Sequence, residues 1–213
     1  MYTPVRKPVT RSKGRVVGYF ASYKNNRMME WESQLERDFL MTLEVNPNVI
    51  SYSVQPSTIK FHMDGKPKRY TPDVYVECDD ANVFYEVKPA KDAVLPNWQD
   101  VFAKARQYFE RQGACFEVVT EDDIYREPAF SNTQLILSRR LGLHCKPDYQ
   151  ALCNIFDGNA ELPLDTVSEL CGPEGESLSA LQYVACGYLQ LDLHQAITGK
   201  TMVSLATGRL ADD

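Results

Sequence analysis

Two short stretches bring together residue types suited to phosphodiester chemistry. Tyr70-Thr71-Pro72-Asp73 leads into a predicted strand, Val74-Tyr75-Val76, and Glu86-Val87-Lys88 closes the next, Val83–Lys88. Side chains two apart on a strand share a face. Glu86 and Lys88 therefore project together, and a hairpin between the strands would bring Asp73 beside them. Two carboxylates and an ammonium on one face form a metal site for cutting phosphodiesters. Carboxylate oxygens suit Mg²⁺, the metal lowers the pKa of a bound water, and Lys88 can orient that water or offset phosphate charge. The plainer alternative is a surface hairpin in which Glu86 and Lys88 pair across solvent. The apolar neighbours Val83, Phe84 and Val87 weigh against it, because a charged pair there costs free energy unless a metal or other partners compensate.

A third carboxylate must come from another element. Trp31, Leu35, Phe39 and Leu43 recur every four residues and predict a helix over Met28–Val45. That helix would present Glu32 and Glu36, four apart, on one face. Ser33-x-x-Glu36 also matches a capping box, with Ser33 as N-cap and Glu36 reaching back to it. Against the cap, Met28–Glu32 reads as helical, which would put Ser33 inside the helix. His62, His144 and His194 are scattered, and no Ser/His/Asp or Cys/His order indicates a side-chain nucleophile.

The composition narrows the class. The chain has 213 residues, 44% of them hydrophobic, enough for one large domain or a medium and a small one. A net charge of −6 does not suit a general DNA-coating protein, but the charge is unevenly spread. Residues 1–27 carry seven cations and no acid, whereas from Pro147 onward ten acids face only Lys200 and Arg209. The basic segment, with Arg11, Lys13, Arg15 and Lys24, is a candidate DNA-binding arm, and Lys91 beside the site is a further candidate contact. The six cysteines show no CxxC and no metal-ligand pairing with histidine, which argues against zinc and against a disulfide framework. No apolar leader and no run of membrane-spanning length is present, so a cytoplasmic protein is expected.

Three regions follow: a basic arm (1–27), a mixed α/β domain (28–127) and a smaller module (130–213). In the domain, strands are predicted at Val49–Val54, Ser57–Met63, Arg69–Val76, Val83–Lys88 and Ala114–Thr120, with a turn at Asp64-Gly65 and a helix at Trp98–Gln112 ended by Gly113. The module reads as helices at Ser131–Leu141, Asp148–Phe156, Pro163–Cys171 and Ser177–Tyr188, then a two-strand ribbon at Leu189–Leu193 and Thr201–Ala206. Helices followed by a ribbon make a winged-helix pattern. Its recognition segment, Ser177–Gln190, has no Lys or Arg, which favours binding protein over reading DNA.

Four motifs in order resemble the TnsA-type endonuclease, the nuclease subunit of heteromeric Tn7-like transposases. Ser33-Gln34-Leu35-Glu36 is similar to that family's Ser-x-Leu-Glu helix. Thr71-Pro72-Asp73 is similar to its Thr-Asp strand with one extra residue, and Glu86-Val87-Lys88-Pro89-Ala90 to its x-Val-Lys-Pro strand end. Tyr108-Phe109 and the strand Cys115–Thr120 follow as in the family. The likeness spans about residues 20–125; beyond residue 130 it is architectural only.

The resemblance implies a restriction-endonuclease-like mixed sheet flanked by helices, followed by a small winged-helix-like domain. It implies a catalytic set of Glu36, Asp73, Glu86 and Lys88, with Asp73, Glu86 and Glu36 holding Mg²⁺, for which Mn²⁺ would substitute. Glu86 stands where some members have Gln. A further acid that some members carry on the next helix falls near Ala105 here. The implied role is to cut the 5′ (non-transferred) strands at transposon ends in double-stranded DNA. A DDE transposase subunit would cut and join the 3′ strands, and an AAA+ regulator ATPase would be a further partner. A stand-alone repair or phage-defence endonuclease and a non-catalytic tether for the transposase remain the alternatives.

Overall fold

The strand that carries Glu86 is an inner strand of a mixed four-stranded sheet. The computed structural model describes residues 16–63, 65–140, 149–171 and 179–206. These fall into two units: residues up to Glu44 together with Asn48–Ile124, and Val45–Pro47 together with Tyr125 onward.

In the first unit the order is β1 (Gly18–Ser22), β2 (Arg27–Trp31), α1 (Gln34–Val45), β3 (Val49–Val54), β4 (Ile59–Met63), β5 (Lys66–Tyr70), β6 (Val74–Cys78), β7 (Asn82–Val87), α2 (Ala90–Ala93), α3 (Pro96–Glu110), β8 (Cys115–Val119) and α4 (Glu121–Ile124). The sheet runs β3-β6-β7-β8. β3, β6 and β7 pair antiparallel, and β8 lies parallel to β7 after the α3 crossover, as parallel pairing requires. Tyr75 lies opposite Phe84, and Val74 opposite Tyr85. Phe84 stacks on Phe109 of α3, while Tyr85 meets Phe39 of α1 edge-on with ring centroids 5.1 Å apart. The two faces of β7 are thus covered by different helices. On α3, Val101, Phe102, Ala105 and Phe109 form the buried stripe against Phe84 and Phe116.

Two differences from the expected elements bear on the site. Arg69–Val76, expected as one strand, is two. β5 pairs with β4 as a separate ribbon, and β6 joins the main sheet. The break falls at Thr71-Pro72-Asp73, where proline has no N–H to continue a ladder. Met28–Glu32, expected as helix, is strand and turn: β2 pairs with β1 in a hairpin, Met28 opposite Ala21 and Met29 opposite Phe20. Its turn places Asn26 at φ +49°. The turn is held by Glu44 of α1, whose carboxylate accepts hydrogen bonds from Ser22 Oγ and the Tyr23 backbone N–H (both 2.7 Å) and from Tyr52 Oη (2.5 Å). Such charge-assisted bonds outweigh a local helix preference.

Gly18 lies opposite Trp31 in this hairpin, and the indole occupies the space that a Cβ there would need. Gly18→Ala is therefore expected to push the ring aside and cost about 1–3 kcal/mol in urea unfolding.

The second unit contains α5 (Ala129–Ser138), α6 (Tyr149–Phe156), β9 (Leu162–Pro163), α7 (Leu164–Leu170), α8 (Ala180–Ala185), β10 (Leu189–Leu191) and β11 (Met202–Leu205). Its antiparallel sheet runs β10-β11-β9, and the core gathers Ile136, Leu152, Phe156, Val167, Ala180 and Val203. β9 was not foreseen, since two residues carry no periodicity. The helix expected over Ser177–Tyr188 is shorter, Ala180–Ala185; Ser177 and Leu178 lie outside the described residues. Among the described residues no helix is long and apolar enough to cross a membrane.

Candidate active site

Glu86 sits near the end of β7, buried to 3% exposure. The register that sets Val74 against Tyr85 carries Asp73 alongside Glu86 and Val87, and Asp73 Oδ2 accepts the Val87 backbone N–H at 2.8 Å. Lys88 follows directly, with its own N–H donated to the Val119 carbonyl of β8. Its ammonium lies 2.8 Å from Glu86 Oε1 and 3.9 Å from the centre of the Trp98 ring of α3. A cation between a carboxylate and an indole face is held from both sides.

Glu36 arrives from α1 and performs the capping role that its sequence context allowed. Because the preceding residues are strand, Ser33 stands at the helix start. The Glu36 N–H donates to Ser33 Oγ (3.1 Å), and Ser33 Oγ donates to Glu36 Oε1 (3.0 Å). The Glu32 backbone N–H donates to Glu36 Oε2 at 2.8 Å. The cap fixes the glutamate in the electrostatic reach of the other two acids. Burial first, and then the neighbouring charges of Glu86 and Glu36, push the Asp73 carboxyl well above the usual aspartate range. Burial, with Glu32 and Glu86 adding to it, raises Glu36 as well. Crowded acids with raised pKa values in one buried corner are the electrostatic mark of a cation site.

Glu36 and Lys88 open onto a cleft of about 430 Å³ whose walls also include Glu32, Ser33 and Asp92. Glu32 Oε1 accepts from Gln55 Nε2 at 2.8 Å, and the Gln55 backbone, at φ +46°, donates its N–H to the Asp73 carbonyl. Ala105, near which the resemblance would put a further acid, is fully buried in the core of α3, so a carboxylate there would be desolvated. The acid beyond Lys88 that faces the cleft is Asp92 of α2.

Tyr70 does more than pack in the core. Its ring packs with Phe61 and Phe116, and its hydroxyl donates to Glu86 Oε2 at 2.7 Å. Burial and the Glu86 charge push its phenol far above the usual range, so it remains a donor. Nothing in the sequence pattern points to this bond. Tyr70→Phe leaves a buried carboxylate oxygen unpaired and is expected to cost about 1–3 kcal/mol in thermal or urea unfolding.

Of the candidate DNA contacts, Lys24 lies with its ammonium 2.5 Å from the Val49 carbonyl, and Lys91 is exposed on α2. Arg11, Lys13 and Arg15 lie outside the described residues.

The donor set fits a hard divalent cation in chemistry: three carboxylates converge, and Lys88 is the cation now beside Glu86. The fit is not a finished cage. Among the described residues no three acid, histidine or cysteine side chains stand ready-made as metal ligands. Glu36 and Glu86 each use both oxygens in hydrogen bonds or ion pairs, so a metal would have to exchange with those partners.

Residues 46–121 match the family model described as the TnsA-like endonuclease N-terminal domain. No curated protein matches the chain significantly. The matched span contains Asp73, Glu86 and Lys88 and begins after Glu36. The motifs, the mixed sheet and this match agree on a TnsA-like endonuclease N-terminal domain over residues 46–121.

Proposed function

We propose that this chain is a metal-dependent DNA endonuclease subunit of a Tn7-like transposase, cutting the 5′ strands at transposon ends. The observation that carries the reading is the convergence of Glu36, Asp73, Glu86 and Lys88 in the unit that holds the TnsA-like domain. Asp73, Glu86 and Glu36 would hold Mg²⁺, or Mn²⁺ in its place. When bound, the metal supplies Lewis-acid stabilisation of the developing phosphorane charge and activation of water. The protein's own contribution is positional. Tyr70 aims Glu86, the Ser33 cap aims Glu36, and the Val87 N–H aims Asp73. Lys88, on its Trp98 platform, places a positive charge where the attacked phosphate must sit. The products would be a 5′-phosphate and a 3′-hydroxyl.

The second unit supports a partner-binding role. Its order α6-β9-α7-α8-β10-β11, with β9 added to the terminal ribbon, supports a winged-helix reading, and α8 carries no Lys or Arg. A DDE transposase subunit and an AAA+ regulator are the partners this reading assigns. Duplexes bearing the element's ends, incubated with the chain, a transposase partner whose own DDE acids have been substituted, and Mg²⁺, should be nicked on the 5′ strand only. Cutting at unrelated sequences without any partner would instead support a stand-alone nuclease, and no cutting by the wild type under any metal would support a tether. Removal of residues 130–213 is expected to abolish partner binding in a pull-down while leaving metal binding by calorimetry intact. Unchanged partner affinity would overturn the winged-helix assignment.

A further inference from the structure

The β4–β5 ribbon is a charged arm rooted in the candidate site. Its base is fixed. Ile59 and Tyr70 are buried in the core, Thr58 and Thr71 join their hydroxyls at 2.7 Å, and Tyr70 bonds Glu86. Beyond that base Phe61 and Met63 of β4 still pack against the core, but β5 is uncovered. Lys66, Pro67, Lys68 and Arg69 are all exposed, although successive strand residues face opposite sides. Neither face of β5 is therefore covered there. The segment from Ser57 to Pro72 carries four cations, Lys60, Lys66, Lys68 and Arg69, against one acid, Asp64. The register sets Lys60 directly opposite Arg69, a like-charge cross-strand pair that weakens a ribbon on its own. Among the described residues none of the four cations has an ion-pair partner. A strand exposed on both faces, in a ribbon that repels itself, is poorly explained as scaffold.

We propose that the β4–β5 ribbon grips duplex DNA, its cations on the phosphates, and that Tyr70 ties this grip to Glu86. The proposal rests on the nuclease reading of the neighbouring site. A two-stranded β-ribbon has the dimensions to enter the major groove, and unpaired lysines and arginine suit phosphates on either side. The opposed Lys60–Arg69 charges lose their mutual penalty once a phosphate lies between them.

The test is the salt dependence of duplex binding by the full chain without metal, read by anisotropy on a labelled 30-base-pair duplex. Each phosphate contact contributes about −0.9 to the slope of log K against log salt. The variant Lys60→Gln/Lys66→Gln/Lys68→Gln/Arg69→Gln should lose about 2–4 from the magnitude of that slope. It should bind at least tenfold more weakly at physiological salt. Lys60→Glu sharpens the test, because it turns the repulsive cross-strand pair into an attractive one. It should melt no lower than wild type yet bind DNA more weakly. An unchanged slope in the quadruple variant overturns the proposal. So does wild-type duplex binding alongside lost cleavage, which would assign the ribbon to an acidic protein partner. Asp73→Asn separates the two readings. It should bind duplex as wild type does without cutting; a variant that still cuts overturns the Asp73 site, and a wild type that cuts with no metal overturns the nuclease reading, while the ribbon result stands in either case.

Discussion

Asp73→Asn is expected to abolish strand cleavage and, in the metal-free protein, to raise stability at neutral pH. The loss of activity follows from removing a ligand at the centre of the acid cluster. Several kcal/mol of metal-derived transition-state stabilisation corresponds to roughly 10³-fold or more in rate. The gain in stability follows from the sign of the pKa shift. The Asp73 carboxyl is raised above its ordinary value of 3.8, first by burial and then by Glu86 and Glu36, so the folded state binds the proton more tightly than the unfolded chain. Stability from this group is full below that ordinary value and is lost as pH rises through the folded value. Glu36, also raised, acts in the same direction. Between mildly acidic and neutral pH the metal-free wild type should therefore melt at progressively lower temperature with respect to this cluster. Asn is neutral throughout and can still accept the Val87 N–H, so Asp73→Asn should flatten the trend. Mg²⁺ should restore the wild type at neutral pH and leave the variant unmoved. Equal melting of the two proteins at neutral pH without metal would overturn this account.

Lys88→Met separates the two roles of the lysine. In the metal-free protein it leaves Glu86, buried to 3% exposure, without its ammonium, which should cost about 3 kcal/mol in urea unfolding. Adding Glu86→Gln should recover most of that loss, a non-additivity that marks a direct pair. With metal, Lys88 is a competitor for Glu86 Oε1. Lys88→Met should therefore bind Mn²⁺ or Mg²⁺ more tightly by calorimetry while cutting roughly 10²–10³-fold more slowly, since a preorganised positive charge at the phosphate is lost. Tighter metal binding with weaker catalysis is a combination that simple misfolding does not produce. Weaker metal binding would show that Lys88 supports the ligands instead of competing with them.

What the sequence alone determined are the features set by local spacing. The two-residue period of a strand put Glu86 and Lys88 on one face. The Ser33-x-x-Glu36 spacing contained the cap that now holds Glu36, and the Gly113 stop after α3 follows from backbone chemistry, although the helix expected to start at Trp98 starts at Pro96. The starts and ends of β3, β7 and β8 were readable to within a residue or two for the same reason. Tertiary structure decided what depends on partners remote in the chain. Met28–Glu32 carries apolar residues compatible with helix or strand, and the choice fell to Glu44, more than a dozen residues later, which grips the β1–β2 turn. Asp73 joined the site only through the β6–β7 register. Tyr70 and Trp98 acquired their bonds to Glu86 and Lys88 through a ribbon base and a crossover helix that no periodicity connects. Ala105 and Asp92 show the same division. Their identities are plain in the sequence, but which of them faces the cleft was set by the way α3 buries its apolar stripe against the sheet. Local spacing fixes which side chains share a face, whereas long-range pairing fixes what that face meets.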